Sequence, residues 1–169
     1  SDFLQVSRPS HPEIHPIQLH QFLVQIQQLL EAEAAKHHVQ FEVEVLPDDL
    51  EIQGDEGLLK TACLNIALNA IQAMEYGGEI RISARPHRDL QGQEKYCDIV
   101  FTDTGPGIPP EHKEKIFQPY FTTKKKGTGL GLAIVNRVVE DHHGSIHVES
   151  REGQGTTIIL ILPMVKGER

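Results

Sequence analysis

One acidic residue stands where an apolar strand gives way to a glycine-rich loop. Asp103 follows the run 98–102, and it is followed by Gly105, Gly107 and then Pro109-Pro110. A carboxylate at the end of a core strand is costly to desolvate, and it persists there when something binds it. Glycines beside it let a ligand approach the backbone closely. We interpret this stretch as a nucleotide pocket in which Asp103 accepts a hydrogen bond from an adenine amino group. The alternative is a strand-ending turn with a solvated aspartate.

A second polar feature lies on an apolar helix predicted over about residues 56–75, with Asp55 as its N-cap. Asn65 and Asn69 are four residues apart, so they lie about 40° apart on one face. A solvated face would carry Lys and Glu, which favour helix more than Asn does. Carboxamide oxygens suit a hard cation such as Mg²⁺, so the pattern favours a face turned toward a ligand. The alternative is a pair of buried asparagines bonded to backbone groups.

A third feature is the glycine- and lysine-rich segment 117–129. Lys124 to Lys126 precede Gly127-Thr128-Gly129-Leu130-Gly131-Leu132, which leads directly into a helix predicted over about 130–142. Free amides at a helix N-terminus and flexible glycines form an anion site, here for phosphates, and Lys124 adds positive charge. The alternative for the lysines is a solvated basic loop. The spacing fits neither a P-loop nor a Rossmann fingerprint.

The remaining periodicities predict the elements that position these residues. We expect an amphipathic helix from about 19 to 36, a short helix at 111–116, and strands at 41–45, 50–52, 79–85, 96–102, 146–148 and 156–162. Strands joined by short turns, with helices before and between them, favour an α+β two-layer sandwich. Its sheet would be mixed, largely antiparallel and of about five strands, with the helices on one face.

Composition bounds the class of protein. With 169 residues, 38% hydrophobic and 24% charged, the chain reads as one soluble domain. Its net charge of −8 argues against a nucleic-acid footprint. We find no apolar run of about 18 residues and no signal pattern, so we expect no membrane contact by this segment and a cytoplasmic setting. Cys63 and Cys97 fall in apolar patterns and are expected to be packed, reduced thiols.

Taken in order, the motifs resemble the ATP-binding catalytic domain of two-component sensor histidine kinases, in the superfamily shared with DNA gyrase, mismatch-repair ATPases and heat-shock chaperones. The resemblance covers about residues 12–163. It implies an ATP lid over the site, ATP and Mg²⁺ as cofactors, and transfer of the γ-phosphoryl group to a histidine on a separate hairpin domain. The motifs are Asn65-x-x-x-Asn69-Ala70, Asp103-x-Gly105-x-Gly107, Phe117-x-x-Tyr120-Phe121 and Gly127-x-Gly129-x-Gly131-Leu132.

The resemblance assigns roles by position. Asn69 corresponds to the Mg²⁺ ligand and Asp103 to the adenine acceptor, helped by Thr156 or Thr157. Asn65 stands where the hydrolases of the superfamily carry a water-activating glutamate, which implies phosphoryl transfer rather than hydrolysis. Many members have a basic residue where this chain has Gln72. The further nucleotide contacts implied are Ala73, Gly105, Gly107, Ile108, Tyr120, Thr128, Gly129, Leu130, Gly131 and Leu132, with Lys124 beside the transferred phosphate.

The resemblance also divides the chain. Residues 1–16 resemble the tail of a dimerisation and acceptor hairpin helix plus a proline-rich linker, 17–163 the catalytic domain, and 164–169 a C-terminal tail. None of the ten histidines has the acceptor context, and His142 and His143, at a helix end, are expected on the surface. The implied partners are the protein's own hairpin domain and, indirectly, a response regulator. The hairpin implies a homodimeric full-length protein, membrane-anchored or not, whereas this segment alone is expected to be monomeric and unable to phosphorylate itself.

Other functions remain open from the sequence. A serine kinase of the anti-sigma type, a plain ATPase and a non-catalytic ATP-sensing module share the same superfamily. Asp103-Thr104-Gly105 after an apolar strand also matches an aspartic protease superficially. That chemistry needs two carboxylates sharing a proton, whereas the triplet occurs once here.

Overall fold

The computed structural model describes residues 11–118 and 131–164 of the chain. Within these ranges there are seven strands and four α-helices. The strands are β1 (His15–Gln18), β2 (Val39–Val45), β3 (Glu51–Gly54), β4 (Gly78–His87), β5 (Tyr96–Asp103), β6 (Ser145–Arg151) and β7 (Gly155–Pro163). The helices are α1 (Leu19–Leu29), α2 (Glu31–Lys36), α3 (Glu56–Ala73) and α4 (Gly131–Asp141), with one 3₁₀ turn at Pro110–His112.

Five of the strands form one sheet in the order β2–β4–β5–β7–β6. β2 and β4 are parallel, and the other neighbours are antiparallel. A parallel pair cannot be joined by a tight turn, and here β3 and α3 supply the crossover between its strands. β1 and β3 form a separate two-stranded ribbon. The expected mixed, largely antiparallel sheet with helices on one face is confirmed.

The core lies between the sheet and its helix layer. Inward positions alternate along the central strands, as at Ile80, Ile82 and Ala84 of β4, and all three are buried. α3 contributes one apolar face to this core, which consists of Leu59, Ala62, Cys63, Ile66, Ala67 and Ile71. Burying this face stabilises the helix more than its intrinsic propensity does. Among the described residues, no helix is long and apolar enough to cross a membrane.

Both cysteines are free and buried, as expected. Burial raises the pKa of the Cys63 thiol to about 12. Burial, together with the nearby charge of Asp98, raises the pKa of the Cys97 thiol to about 12 as well. Both groups therefore behave as packed, protonated side chains at neutral pH.

Several elements differ from the expectation. The helix expected over 19–36 is divided at Leu30, whose backbone (φ −103°, ψ 5°) leaves the helical region while its side chain packs into the core. The short helix expected at 111–116 is only a 3₁₀ turn at Pro110–His112, where the His112 and Lys113 amides bond to carbonyls three residues earlier instead of four. His15 and Pro16, expected in an extended linker, are extended but pair with β3 as part of β1.

His142 corrects a further expectation, since it is buried at 3% exposure rather than on the surface. Its Nε2 accepts the Asp55 amide at 2.9 Å, and its Nδ1 lies 2.8 Å from the Val138 carbonyl. These bonds require a neutral imidazole that carries its hydrogen on Nδ1. The side chain thereby joins the end of α4 to the start of α3, while His143, which follows it, is exposed.

Candidate functional site

Polar side chains form a short row at the end of the sheet where β5 stops. Asp103 pairs with Thr156 across β5 and β7, and Thr156 pairs with Ser150 across β7 and β6. Directly paired residues point to the same face of a sheet. The inward neighbours two positions away are Phe101 and Ile158, both buried, so the row continues the core face to this end of the sheet.

Asp103 is a partly desolvated carboxylate. Its Oδ1 accepts the Gly105 amide at 2.8 Å, which is the local turn bond that aspartate commonly makes. Burial raises the pKa of Asp103 above its ordinary value, although the amides of Gly105 and Thr156 act in the opposite direction. Asp103 therefore makes the turn of the alternative interpretation, but it is not the solvated aspartate that this interpretation required.

The register separates the two threonines that the sequence could not distinguish. Thr156 lies on the face of Asp103, and its Oγ1 is 2.9 Å from the hydroxyl of Ser150. Thr157 pairs with Thr102 instead, on the opposite, open face of the sheet. Of the two alternatives, the structure therefore brings Thr156 and not Thr157 to the side of Asp103.

The glycine loop after β5 is held against the β6–β7 turn. The Gly153 amide donates to the Pro106 carbonyl at 2.6 Å, and the Ile108 amide donates to Ser150 Oγ at 2.7 Å. Gly107 has a φ of 77°, and a β-carbon there would overlap the carbonyl of Arg151. Position 107 thus requires glycine for both its conformation and its close approach to the hairpin.

The same loop also contacts the end of α3. A β-carbon at Gly105 would lie 3.2 Å from Cγ of Met74, and Thr104 Oγ1 lies 3.8 Å from the Met74 sulfur. Thr104 Oγ1 also accepts the Glu79 amide at 3.0 Å. Because Met74 directly follows α3, these contacts bring the end of the asparagine-bearing helix to the Asp103 loop.

The two asparagines on α3 are both half-buried. The side-chain amide of Asn65 donates a hydrogen bond to the Thr61 carbonyl at 2.8 Å. This nitrogen is therefore bonded to a backbone group, as the alternative interpretation of the two asparagines predicted. That bond does not use the carboxamide oxygen. Asn69 follows one turn later, and Ala73, one further turn along, is exposed. The carboxamide oxygen of Asn69 is a neutral donor of the kind that suits Mg²⁺, a hard cation that takes few protein ligands and shares its coordination shell with phosphates.

The phosphate end of the expected site is only partly described. α4 covers Gly131–Asp141, so the helix expected over about 130–142 is confirmed over the part of it that the structure describes. Leu132 is half-buried and packs against the core. The remaining residues expected at this end, which lie outside the described ranges, are Tyr120, Lys124, Thr128, Gly129 and Leu130.

Three residues of the site were missed from the sequence: Thr104, Met74 and Ser150. Ser150 could have been found, because it continues the inward alternation of Ile146 and Val148 and would then be a buried hydroxyl beside the β6–β7 turn. Thr104 and Met74 carry no comparable signal, since their contact joins two elements that are distant in sequence.

Comparison with known proteins agrees with this geometry. Residues 54–166 match the family model described as histidine kinase-, DNA gyrase B-, and HSP90-like ATPase. The sensor histidine kinase ZraS of Escherichia coli (strain K12) is 37% identical over 164 residues, which cover 97% of this chain and 34% of ZraS. The chain therefore spans about a third of the length of this relative.

Solved structures show the same similarity. The catalytic domain of histidine kinase ThkA matches with a TM-score of 0.77 at 34% identity, covering 89% of this chain and 97% of that one. ThkA in complex with the response regulator protein TrrA matches with a TM-score of 0.79 at 31% identity, covering 97% of this chain and 46% of that one. Full-length ShkA, in complex with AMPPNP, matches with a TM-score of 0.86 at 26% identity, covering 99% and 35%.

Proposed function

We propose, from the premise that this chain belongs to the histidine kinase-, DNA gyrase B-, and HSP90-like ATPase family, that it is the ATP-binding catalytic domain of a sensor histidine kinase. The full activity would be transfer of the γ-phosphoryl group of ATP to a histidine on a separate hairpin domain. Support comes from ZraS and ThkA, a sensor histidine kinase and a histidine kinase that match nearly the whole of this chain. ATP as substrate also favours a cytoplasmic setting.

The observation that carries the proposal is the desolvated carboxylate of Asp103 in a glycine loop fixed on both sides. An adenine amino group can donate to the carboxylate, whose Oδ1 already accepts the Gly105 amide and still has further acceptor capacity. Gly105 and Gly107 leave the backbone bare beside it, and Ile108 and Thr156 border the same loop. Such an arrangement reads a base edge by hydrogen bonds in a largely formed pocket.

We assign Mg²⁺ to Asn69, because its carboxamide lies one helical turn before the end of α3, where Met74 contacts the Asp103 loop. When bound there, the ion would neutralise charge on the phosphates of ATP. Lys124, Tyr120, Thr128, Gly129, Leu130, Gly131 and Leu132 remain assigned to the phosphates and the lid. The contribution of the chain itself is to position ATP: it binds the base and holds the phosphates at the start of α4.

Asn65 decides between transfer and hydrolysis in this proposal. A carboxamide cannot act as a general base, and its nitrogen is engaged with the Thr61 carbonyl. Water is therefore not activated at this position, and a histidine nucleophile from the hairpin domain would attack in line. A response regulator would then take the phosphoryl group. We also propose that the full-length protein dimerises through the hairpin domain.

Calorimetric titration with a non-hydrolysable ATP analogue, with and without Mg²⁺, tests the binding site. The wild-type domain should bind the analogue, and Mg²⁺ should tighten binding. Asn69→Ala should lose the Mg²⁺-dependent part of the affinity and keep most of the metal-free part. Gln72→Ala is the matched control, since this exposed neighbour has no assigned role at the metal. Equal Mg²⁺ effects in Asn69→Ala and wild type would refute the metal assignment.

Labelled ATP mixed with this domain and its separately produced hairpin domain tests the reaction. The hairpin should acquire acid-labile label on histidine, and release of free phosphate should be negligible. Acid-stable label on serine in a partner would favour the anti-sigma-type alternative. Tight binding of ATP without label on any partner would identify a non-catalytic sensing module instead.

A further inference from the structure

His142 connects two helices of the site through hydrogen bonds to which the proposed function gives no role. The residue directly follows α4, and its side chain is buried. Its Nε2 accepts the backbone amide of Asp55 at 2.9 Å, and its Nδ1 donates to the Val138 carbonyl at 2.8 Å. Asp55 directly precedes α3 as its N-cap, and Val138 lies one turn back on α4. The imidazole therefore holds the end of one helix to the start of the other.

This bond determines which part of α3 lies beside the start of α4. The two helices pack against each other, and the end of α4 meets the start of α3, so they run in opposite directions. From His142 back to Gly131, α4 extends about 16 Å at a rise of about 1.5 Å per residue. The same distance along α3 from Asp55 ends near Ile66. The start of α4 is therefore about level with the turn of α3 that precedes Asn69.

The alignment of the two helices matters for the assigned metal site. The proposed function places Mg²⁺ at Asn69 on α3 and the phosphates at the start of α4. Mg²⁺ requires near-ideal octahedral geometry with ligands at about 2.0–2.1 Å, so a small slide of one helix along the other would separate the ligand from the phosphates. Apolar contacts have no preferred direction, whereas a hydrogen bond weakens steeply when its angle changes. The His142 bond therefore adds a directional constraint against such a slide.

We propose that His142 is a positioning residue that sets the alignment of α4 with α3, an inference that rests on the proposed function. It contacts neither the nucleotide nor the metal. Through the Asp55 amide it holds the start of α4 level with Asn69, so that phosphates held by α4 lie within reach of an ion held by that carboxamide. Recognition of the base at Asp103 does not depend on this bond.

Two substitutions separate the two hydrogen bonds of the imidazole. The side-chain oxygen in His142→Gln can take the place of Nε2, and the side-chain nitrogen in His142→Asn can take the place of Nδ1. Only His142→Asn therefore lacks an acceptor for the Asp55 amide.

Amide hydrogen exchange of the nucleotide-free protein tests the bond itself. The Asp55 amide should exchange on the order of tenfold faster in His142→Asn and near the wild-type rate in His142→Gln. His143→Asn is the matched control, because His143 is exposed and its φ of 59° is one that asparagine tolerates. This control should leave the Asp55 amide as in wild type. An unchanged Asp55 amide in His142→Asn overturns the positioning role.

Calorimetry with a non-hydrolysable ATP analogue, with and without Mg²⁺, tests the consequence. In His142→Asn, the gain in affinity on adding Mg²⁺ should fall about tenfold, while the metal-free affinity stays within about twofold of wild type. His142→Gln and His143→Asn should keep the full gain. A histidine with a purely structural role would lower the thermal stability of His142→Asn and leave its Mg²⁺ gain unchanged, and that result overturns the proposal.

The same measurements distinguish the failure of this role from the failure of the proposed function. If the wild type shows the Mg²⁺ gain and His142→Asn keeps it, only the positioning role fails. If the wild type shows no Mg²⁺ gain, the metal assignment fails and the positioning role fails with it. Should His142→Asn not fold, His142→Gln decides: a full gain with a protected Asp55 amide supports the role, and a lost gain with that amide still protected overturns it.

Discussion

Asp55 and Asp103 occupy similar places in the chain, because each follows or ends a strand and accepts backbone amides. Asp55 accepts the Glu13 amide at 2.9 Å and the Leu58 amide at 3.1 Å. Burial alone would raise the pKa of Asp55, but the backbone amides of Glu13, Leu58 and Gly57 hold it below its ordinary value. Burial raises the pKa of Asp103, and the amides of Gly105 and Thr156 do not compensate for it.

The difference shows how the environment assigns a role to one residue type. Asp55 has its charge satisfied by its own chain and serves as the cap of α3. Asp103 is partly desolvated and keeps a raised pKa despite its two backbone amides, so a further donor from outside would stabilise its charge. One carboxylate is therefore structural, and the other is available for recognition. The following experiments are designed to break or sharpen that distinction.

The largest effect is expected from Asp103→Asn. This substitution presents an amide donor toward the adenine amino group, so affinity for an ATP analogue should fall on the order of 100-fold. Its carbonyl can still accept the Gly105 amide, so the fold should persist. Calorimetry measures the affinity, and thermal unfolding without nucleotide checks the fold. Binding within twofold of wild type would remove Asp103 from the base site.

Asp55→Ala should affect stability rather than binding. Loss of the cap and of the Glu13 contact should lower the free energy of unfolding by about 2 kcal/mol. Affinity of the folded protein for the ATP analogue should stay near that of wild type. Urea unfolding and calorimetry measure the two quantities. Asp49→Ala, in an exposed turn, is the control and should change neither. A binding loss as large as that of Asp103→Asn would erase the distinction between the two carboxylates.

The pH dependence of stability should differ in sign between the two sites. The stability contributed by Asp103, whose folded pKa is raised, is fully present below the ordinary value of 3.8 and is lost as pH rises through the folded pKa. Asp55, whose folded pKa is lowered, contributes above 3.8, and its contribution is lost as pH falls through the folded pKa.

Urea unfolding of the two Asp→Asn variants at several pH values tests these signs. From about pH 4 to about pH 7, the stability of Asp103→Asn relative to wild type should increase. The deficit of Asp55→Asn should stay constant over that range and shrink only at lower pH. Parallel profiles for the two variants would contradict the opposite pKa shifts.

The smallest effect concerns the Cys63 thiol, which lies inside α3. Its raised pKa of about 12 and its burial require α3 to open before an alkylating reagent can react. Asp55→Ala should increase the labelling rate a few-fold, because the cap holds the first turn. Asp103→Asn should leave it unchanged. Cys97 on β5 is the internal control, and equal acceleration of both thiols would indicate global unfolding instead.

Local patterns allowed much of the fold to be predicted. The cap at Asp55, the extent of α3 and the alternation of β4, β5 and β7 depend on residues close in sequence. The glycine loop after Asp103 was recognised for the same reason. These features follow from backbone preferences and periodic burial, which a single chain segment displays by itself.

Features that depend on distant contacts could not be predicted. The parallel pairing of β2 with β4 and the position of β7 between β5 and β6 arise from packing across the whole domain. The break at Leu30 and the burial of His142 have the same origin, because core contacts decide both. Ser150 was overlooked since a serine in an alternating strand is unremarkable until its partners across the sheet are known.

The ribbon of β1 and β3 has a mechanical consequence. A force that pulls on the backbone at residue 12 would be resisted by the hydrogen bond from the Glu13 amide to Asp55 and by the antiparallel pairing of β1 with β3. Both lie next to the first turn of the helix that bears Asn69. A force applied to the residues before β1 would therefore be transmitted through these hydrogen bonds to the start of α3.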